Sequence, residues 1–222
     1  MHGVNERSDT ILMIRQLWTP NYWKEATREL VIHDKVMSRL ISSFKGAILR
    51  SHGDAFTTLA RSIVSQQISV KAAESVWHKI IINVPEITPQ TVYNLENNVL
   101  RGCGLSQRKT DYLQDLSLHF INKDLNETIW YEMDDEALIL ELTRVKGVGR
   151  WTAEMFLIFH MLRPNILPIN DLGLKRALSI HYNDNKPVSK NEMYIISDPW
   201  RPWRSVATWY LWRSLDSLPV EY

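Results

Sequence analysis

The sequence predicts an all-α fold. Apolar residues recur at helical spacing through most of the chain, as in Phe56, Leu59, Ala60, Ile63 and Val64, the period of a helix with one face buried. Strand-like alternation is confined to short runs such as Ile80 to Val84. Serine, threonine or aspartate stands just before several apolar runs, where its side chain can take the unpaired N–H groups of a first helical turn.

Residues 1–19 show no periodicity before Ile11-Leu12-Met13-Ile14 and read as an arm or a short added helix. From Tyr22 to Leu40 the pattern Trp23, Ala26, Leu30, Ile32, Val36, Leu40 predicts two helices broken near His33-Asp34. Phe44 to Gly53 is a connection. Phe56 to Ile82 reads as two helices interrupted by Ser65-Gln66-Gln67-Ile68-Ser69, with Ser69 as the N-cap of the second. Thr88 or Thr91 caps a helix from Val92 to Leu100, and Ser106 caps one through Leu118. Arg108 and Lys109 lie in the first turn of that helix, where positive charge opposes the dipole; phosphate binding would account for that cost, and a solvated face is the expectation. Residues 126–132 read as a loop, and Asp134-Asp135-Glu136 supplies acids to the next helix start.

Gly147-Val148-Gly149 separates two helical patterns, with Lys146 and Arg150 on either side. Two helices joined so tightly need backbone conformations that glycine permits. A helix opening at Gly149 presents free N–H groups that suit an anion such as phosphate. Asp171, in Pro168-Ile169-Asn170-Asp171-Leu172-Gly173, stands at the start of a further helix. It reads as an N-cap, a role that also fixes the rotamer of an acid used in catalysis. Polar residues 183–192 surround Pro187, and Trp200 to Trp212 is rich in aromatics and arginine. Arg201 and Arg204 are candidates to reach phosphates or to pair with core acids, the second being the expectation, and Trp209 and Trp212 are expected to share a helix face.

The 222 residues suffice for one large domain or two small ones. A hydrophobic share of 45% with 23% charged residues is that of a soluble globular protein. The single cysteine, Cys103, excludes a disulfide framework and a cluster of four thiolates, and reads as structural in a reducing compartment. No signal peptide or membrane span is visible, so the expected location is the cytoplasm, on the nucleoid in a bacterium, or the nucleus in a eukaryote. A net charge of +1 requires any nucleic-acid surface to come from local clustering. Nine tryptophans are many for this length; most are expected in the core, and an enzyme that holds a flat aromatic ligand also has a use for them.

Val145-Lys146-Gly147-Val148-Gly149-Arg150-Trp151-Thr152-Ala153, followed by Leu167-Pro168-Ile169-Asn170-Asp171-Leu172-Gly173, resembles the helix-hairpin-helix glycosylase superfamily of base-excision repair, and within it the DNA-3-methyladenine glycosylase II branch. Phe56 to Ala73 and Trp200 to Trp212 extend the likeness over most of the chain. The resemblance implies a helical domain over residues 54–163 ending in the hairpin. A second, over 20–53 and 164–222, carries the acid, with the site in the cleft between them. It implies Asp171 as the catalytic carboxylate, with Asn170 holding its geometry. Trp151, Met155, Trp209 and Trp212 are implied around the base. Lys146, Gly147, Val148, Gly149, Arg150 and Thr152 are implied at the DNA backbone. Gln67 is implied as the minor-groove wedge, flanked by Gln66 and Ile68.

Relatives that also cut the backbone carry a lysine where this chain has Trp151, so a monofunctional enzyme is implied. The expected partner is double-stranded DNA with a damaged base, met by a monomer away from membranes. No cofactor is required. No side-chain metal site is expected, and the one ion admitted is a monovalent cation at the hairpin carbonyls. Alkylated purines, of the 3-methyladenine and 7-methylguanine type, are the implied targets. The rival readings are a glycosylase of the same fold for deaminated, oxidised or mispaired bases, a non-catalytic hairpin DNA-binding module, and an abasic lyase.

Overall fold

A computed structural model describes residues 19–51, 54–84 and 86–215. Among them there is no β-strand, and the helices are α1 (Trp23–His33), α2 (Lys35–Ser43), α3 (Ala55–Ser65), α4 (Val70–Asn83), α5 (Pro89–Asn94), α6 (Asn97–Gly102), α7 (Gln107–Ile121), α8 (Glu127–Trp130), α9 (Asp135–Leu142), α10 (Arg150–Phe159), α11 (Leu172–Tyr182), α12 (Lys190–Ser197) and α13 (Arg204–Arg213), with one 3-10 turn at Asp198–Trp200. Nearly all of the expected arm lies outside the described residues. The chain divides into two compact units, one contiguous over 54–156 and one formed by 19–51 with 157–215. The division falls inside α10, between Phe156 and Leu157.

Polar side chains at the helix starts explain most of the boundaries. Asp54, Ser69, Thr88, Ser106, Asn126, Asp134 and Asp171 each accept a main-chain N–H from the first turn that follows. The expected helix over 92–100 is two short ones instead. Thr88 and Pro89 start α5 early, and Leu95 and Glu96 adopt extended conformations that end it. The expected loop at 126–132 contains α8, held by the fully buried Trp130. Within the polar stretch, Ser189 and Glu192 form a reciprocal capping box that starts α12.

The contiguous unit is built on a series of edge-to-face rings. Phe56 meets Phe120 at 5.4 Å, Phe120 meets Trp130 at 6.3 Å, and Trp130 meets Phe156 at 5.5 Å. The Trp130 indole N–H donates to Glu141 at 2.7 Å, so the buried ring leaves no orphan donor. Cys103 is buried in this unit, and burial pushes its thiol up.

The other unit is organised around Asp34, which separates α1 from α2. Its Oδ1 accepts the N–H groups of Val36 and Met37. Its Oδ2 accepts the Tyr182 hydroxyl at 2.8 Å and the Trp200 indole N–H at 2.9 Å. One carboxylate thereby ties α2 to the end of α11 and to the 3-10 turn. Trp209 is part of this core: it is 4% exposed, meets Trp23 edge-on at 5.1 Å and lies beneath the Arg213 guanidinium. Arg204 bonds the side chain and carbonyl of Asn165, and Arg201 bonds the exposed Asp198, a surface acid where a core one was expected.

Candidate active site and nucleic-acid interface

In the contiguous unit, α9 and α10 are joined by a hairpin closed by the Val148 N–H donating to the Val145 carbonyl at 3.1 Å. Gly147 has φ +85°, and a Cβ there would run into the Tyr112 ring; backbone freedom and lack of a side chain are both required. Gly149 is exposed, has open space where a Cβ would stand, and begins α10 by accepting the Ala153 N–H. The hairpin thus offers a glycine-lined helix start at the surface, the arrangement that suits a phosphate.

The flanking charges are more committed than their sequence positions suggest. Asp115 accepts the Lys146 main-chain N–H at 2.8 Å and pairs with its ammonium at 3.0 Å. Burial pushes the Asp115 carboxyl up, but the Lys146 bonds and charge, with His119, outweigh it and hold the group below its usual value. Arg150 bonds Glu136 through two nitrogens and the buried Glu154 through Nε. The Glu136 bond raises the arginine's pKa and lowers that of the glutamate. Arg150 therefore locks α10 to α9, which differs from the phosphate contact expected of it. Val148 and Thr152 have buried side chains and anchor the hairpin from within.

The loop between α3 and α4 is at the surface. Gln67 is exposed at φ +59° and Ile68 is 41% exposed. Gln66 departs from its expected place beside the wedge. Its side-chain amide turns back and donates to the Gly147 carbonyl at 2.7 Å and to Thr152 Oγ1 at 3.4 Å. Lys109, expected on a solvated face, donates to the carbonyls of Val64 and Gln66, each at 2.7 Å, and burial lowers its pKa. A depression of about 290 Å³ lies beside the loop, lined by Gln66, Gln67, Ser106, Arg108, Lys109 and Tyr112.

In the other unit Asp171 is 9% exposed and caps α11, its Oδ1 accepting the Leu174 N–H at 2.6 Å. The same oxygen accepts the Trp212 indole N–H at 2.8 Å. The Trp212 ring stacks on Phe159 with centroids 5.7 Å apart. A Cβ on Gly173 would stand 3.1 Å from Asp171 Oδ1 and 3.2 Å from Trp212 Cδ1, so only glycine fits freely. Asn170 is exposed and accepts from Lys190 at 2.8 Å. Its expected part in holding the acid is taken by Trp212, a tryptophan that the sequence had suggested for the base pocket. Trp209, suggested for the same pocket, is buried against Trp23. On α10, Trp151 is half-buried and Met155 is 2% exposed. Among the described residues no cluster of histidine, cysteine and acids could hold a metal, and no helix is long and apolar enough to cross a membrane.

A helical fold with a glycine hairpin and a capped, buried aspartate defines a class, and the comparisons agree with it. The model of the HhH-GPD superfamily of base excision DNA repair proteins matches residues 60–202, and the chain belongs to that family. It is 31% identical over 186 residues to DNA-3-methyladenine glycosylase 1 of Schizosaccharomyces pombe, covering 81% of each chain. Among solved structures it resembles the S. pombe 3-methyladenine DNA glycosylase in complex with abasic DNA, with TM-score 0.75 and 27% identity over 86% of this chain and 96% of that one. It also resembles a DNA-3-methyladenine glycosidase of Bacillus halodurans, with TM-score 0.77 and 27% identity over 91% and 93%.

Proposed function

We propose that this chain is a monofunctional DNA glycosylase that extrudes and hydrolytically excises alkylated purines of the 3-methyladenine and 7-methylguanine type. The observation that carries the reading is the Asp171 carboxylate, buried yet held by two donors on one oxygen. Breaking an N-glycosidic bond develops positive charge on the sugar. A fixed carboxylate stabilises that charge and orients or deprotonates the attacking water. The rotamer of Asp171 is set before substrate arrives, so little reorganisation accompanies the reaction.

A purine alkylated at N3 or N7 is already cationic and departs without protonation, which matches a site with one acid. Trp151 is the indole we assign to the cationic ring, because it keeps exposed surface where Trp209 does not. A cation over an indole gains about 0.5–2 kcal/mol, so leaving-group chemistry supplies the remaining selectivity. Trp151 has no amine for a Schiff base, and abasic-lyase activity is not expected. The hairpin N–H groups around Gly149 receive the backbone of double-stranded DNA, with Lys146 alongside, and Gln67 with Ile68 fills the gap left by the extruded nucleotide.

The Val145 and Gly147 carbonyls, which accept from the Val148 N–H and the Gln66 amide, are the oxygens we assign to a monovalent cation at the hairpin, each carbonyl having two lone pairs; the reaction needs no other cofactor. The enzyme acts as a monomer in the compartment that holds the DNA. Chromatography of bases freed from methylated DNA tests the reading: alkylpurines are expected. Release of uracil or 8-oxoguanine without any alkylpurine contradicts it.

A further inference from the structure

One stripe of α7 touches both of the exposed elements in the contiguous unit. Lys109, Tyr112 and Asp115 are spaced so that their side chains leave the same face of the helix. Lys109 holds the carbonyl of Val64, in the last turn of α3, and that of Gln66, its C-cap, so one ammonium fixes where the helix stops and the loop begins. The Tyr112 ring occupies the space a side chain at Gly147 would take. Asp115 grips Lys146 by both main chain and side chain. Gln66 closes the circuit, its carbonyl bound by Lys109 and its amide bound to the Gly147 carbonyl.

The loop needs this support. Gln67 sits in the left-handed region, uncommon for a residue with a side chain, and such conformations persist where their surroundings over-determine them. The two carbonyls that Lys109 binds flank that position on its N-terminal side. A direct phosphate contact is a poorer role for this lysine, since its ammonium already serves two protein acceptors and is partly buried.

We propose that the Lys109–Tyr112–Asp115 face of α7 is a positioning device, setting the loop of Gln67 and Ile68 in register with the Gly147 hairpin so that insertion and backbone grip occur together. This rests on the reading of Gln67 and Ile68 as the wedge. Lys109 touches neither base nor sugar and acts through the loop.

The test compares full-length wild type, Lys109→Met and Lys109→Arg in single-turnover release of 7-methylguanine from two duplexes. In one the lesion is paired; in the other it faces an abasic-site analogue. An unpaired base needs less unstacking and unpairing to leave the helix and so depends less on a wedge. Release from the paired duplex is expected to fall by roughly ten- to a hundredfold in Lys109→Met, the size of one or two charge-assisted hydrogen bonds. The unpaired lesion is released with much less loss, and Lys109→Arg recovers part of the paired rate. Equal loss on both duplexes, or loss on neither, overturns the proposal. A second readout needs no excision: 2-aminopurine beside an abasic analogue brightens when the loop inserts. A wild type that releases no alkylpurine refutes the assigned function alone. Fluorescence gain in Lys109→Met equal to that of wild type still overturns the positioning role.

Discussion

The Trp212 indole N–H and the Leu174 main-chain N–H meet on one oxygen of Asp171, at 2.8 and 2.6 Å. The pair fixes the carboxylate in two directions, one along the axis of α11 and one from α13. Stacking on Phe159 holds the indole in turn. Replacing Trp212 by phenylalanine keeps an aromatic ring against Phe159 and removes the indole donor along with part of the ring volume. Turnover is expected to fall by about ten- to a hundredfold, the value of one hydrogen bond to a charged group. KM changes little, and single-turnover kinetics on a methylated duplex separate the two.

Gly147→Ala introduces a Cβ into the Tyr112 ring at a backbone angle that side chains avoid. A loss of about 1–3 kcal/mol from strain and overpacking is expected in urea unfolding, together with weaker DNA binding. Gly173→Ala is its counterpart. Its Cβ would stand 3.1–3.3 Å from Asp171 and Trp212, so activity is expected to fall while the unfolding midpoint moves less than in Gly147→Ala.

Asp34→Ala removes the cap of α2 and strands the Tyr182 hydroxyl and the Trp200 indole. Loss of a cap and of the one carboxylate oxygen that accepts from both donors should lower stability by about 2–5 kcal/mol. The catalytic rate of whatever remains folded is expected to be preserved. Thermal unfolding followed with residual activity checks both halves.

These sites differ in how far the sequence revealed them. The α1/α2 break at Asp34, the Ser69 and Ser106 caps and the Asp171 cap were legible because short polar side chains before apolar runs have a local mechanism. The Ser189–Glu192 capping box carried the same kind of signal and was passed over inside a polar stretch. The partners of Gln66 and Lys109 were not legible, since Gly147 lies 81 positions from Gln66 and Val64 lies 45 from Lys109. Arg150 shows both cases: Glu154 stands four residues on along the same helix, a spacing that can be read locally, whereas Glu136 lies 14 positions back and reaches the guanidinium only through the fold. Trp212 was found and given a different task, because periodicity shows a shared helix face without showing where an indole N–H points.

Asp115 supplies a pH dependence. Its folded pKa lies below the ordinary carboxylate value of 3.8. The stability it contributes is therefore fully present above that value and is lost as pH falls through the depressed one. Acid titration of unfolding should show a wild-type decline in this range that is shallower in Asp115→Asn, whose side chain does not titrate. Parallel curves contradict the clamp.

The central claim is that Asp171 performs the bond cleavage. Its most direct test measures bases released from methylated DNA by wild type and Asp171→Asn, beside binding of each to abasic-site DNA. The variant is expected to bind as the wild type does and to release no alkylpurine above background. Unchanged release by Asp171→Asn contradicts the account.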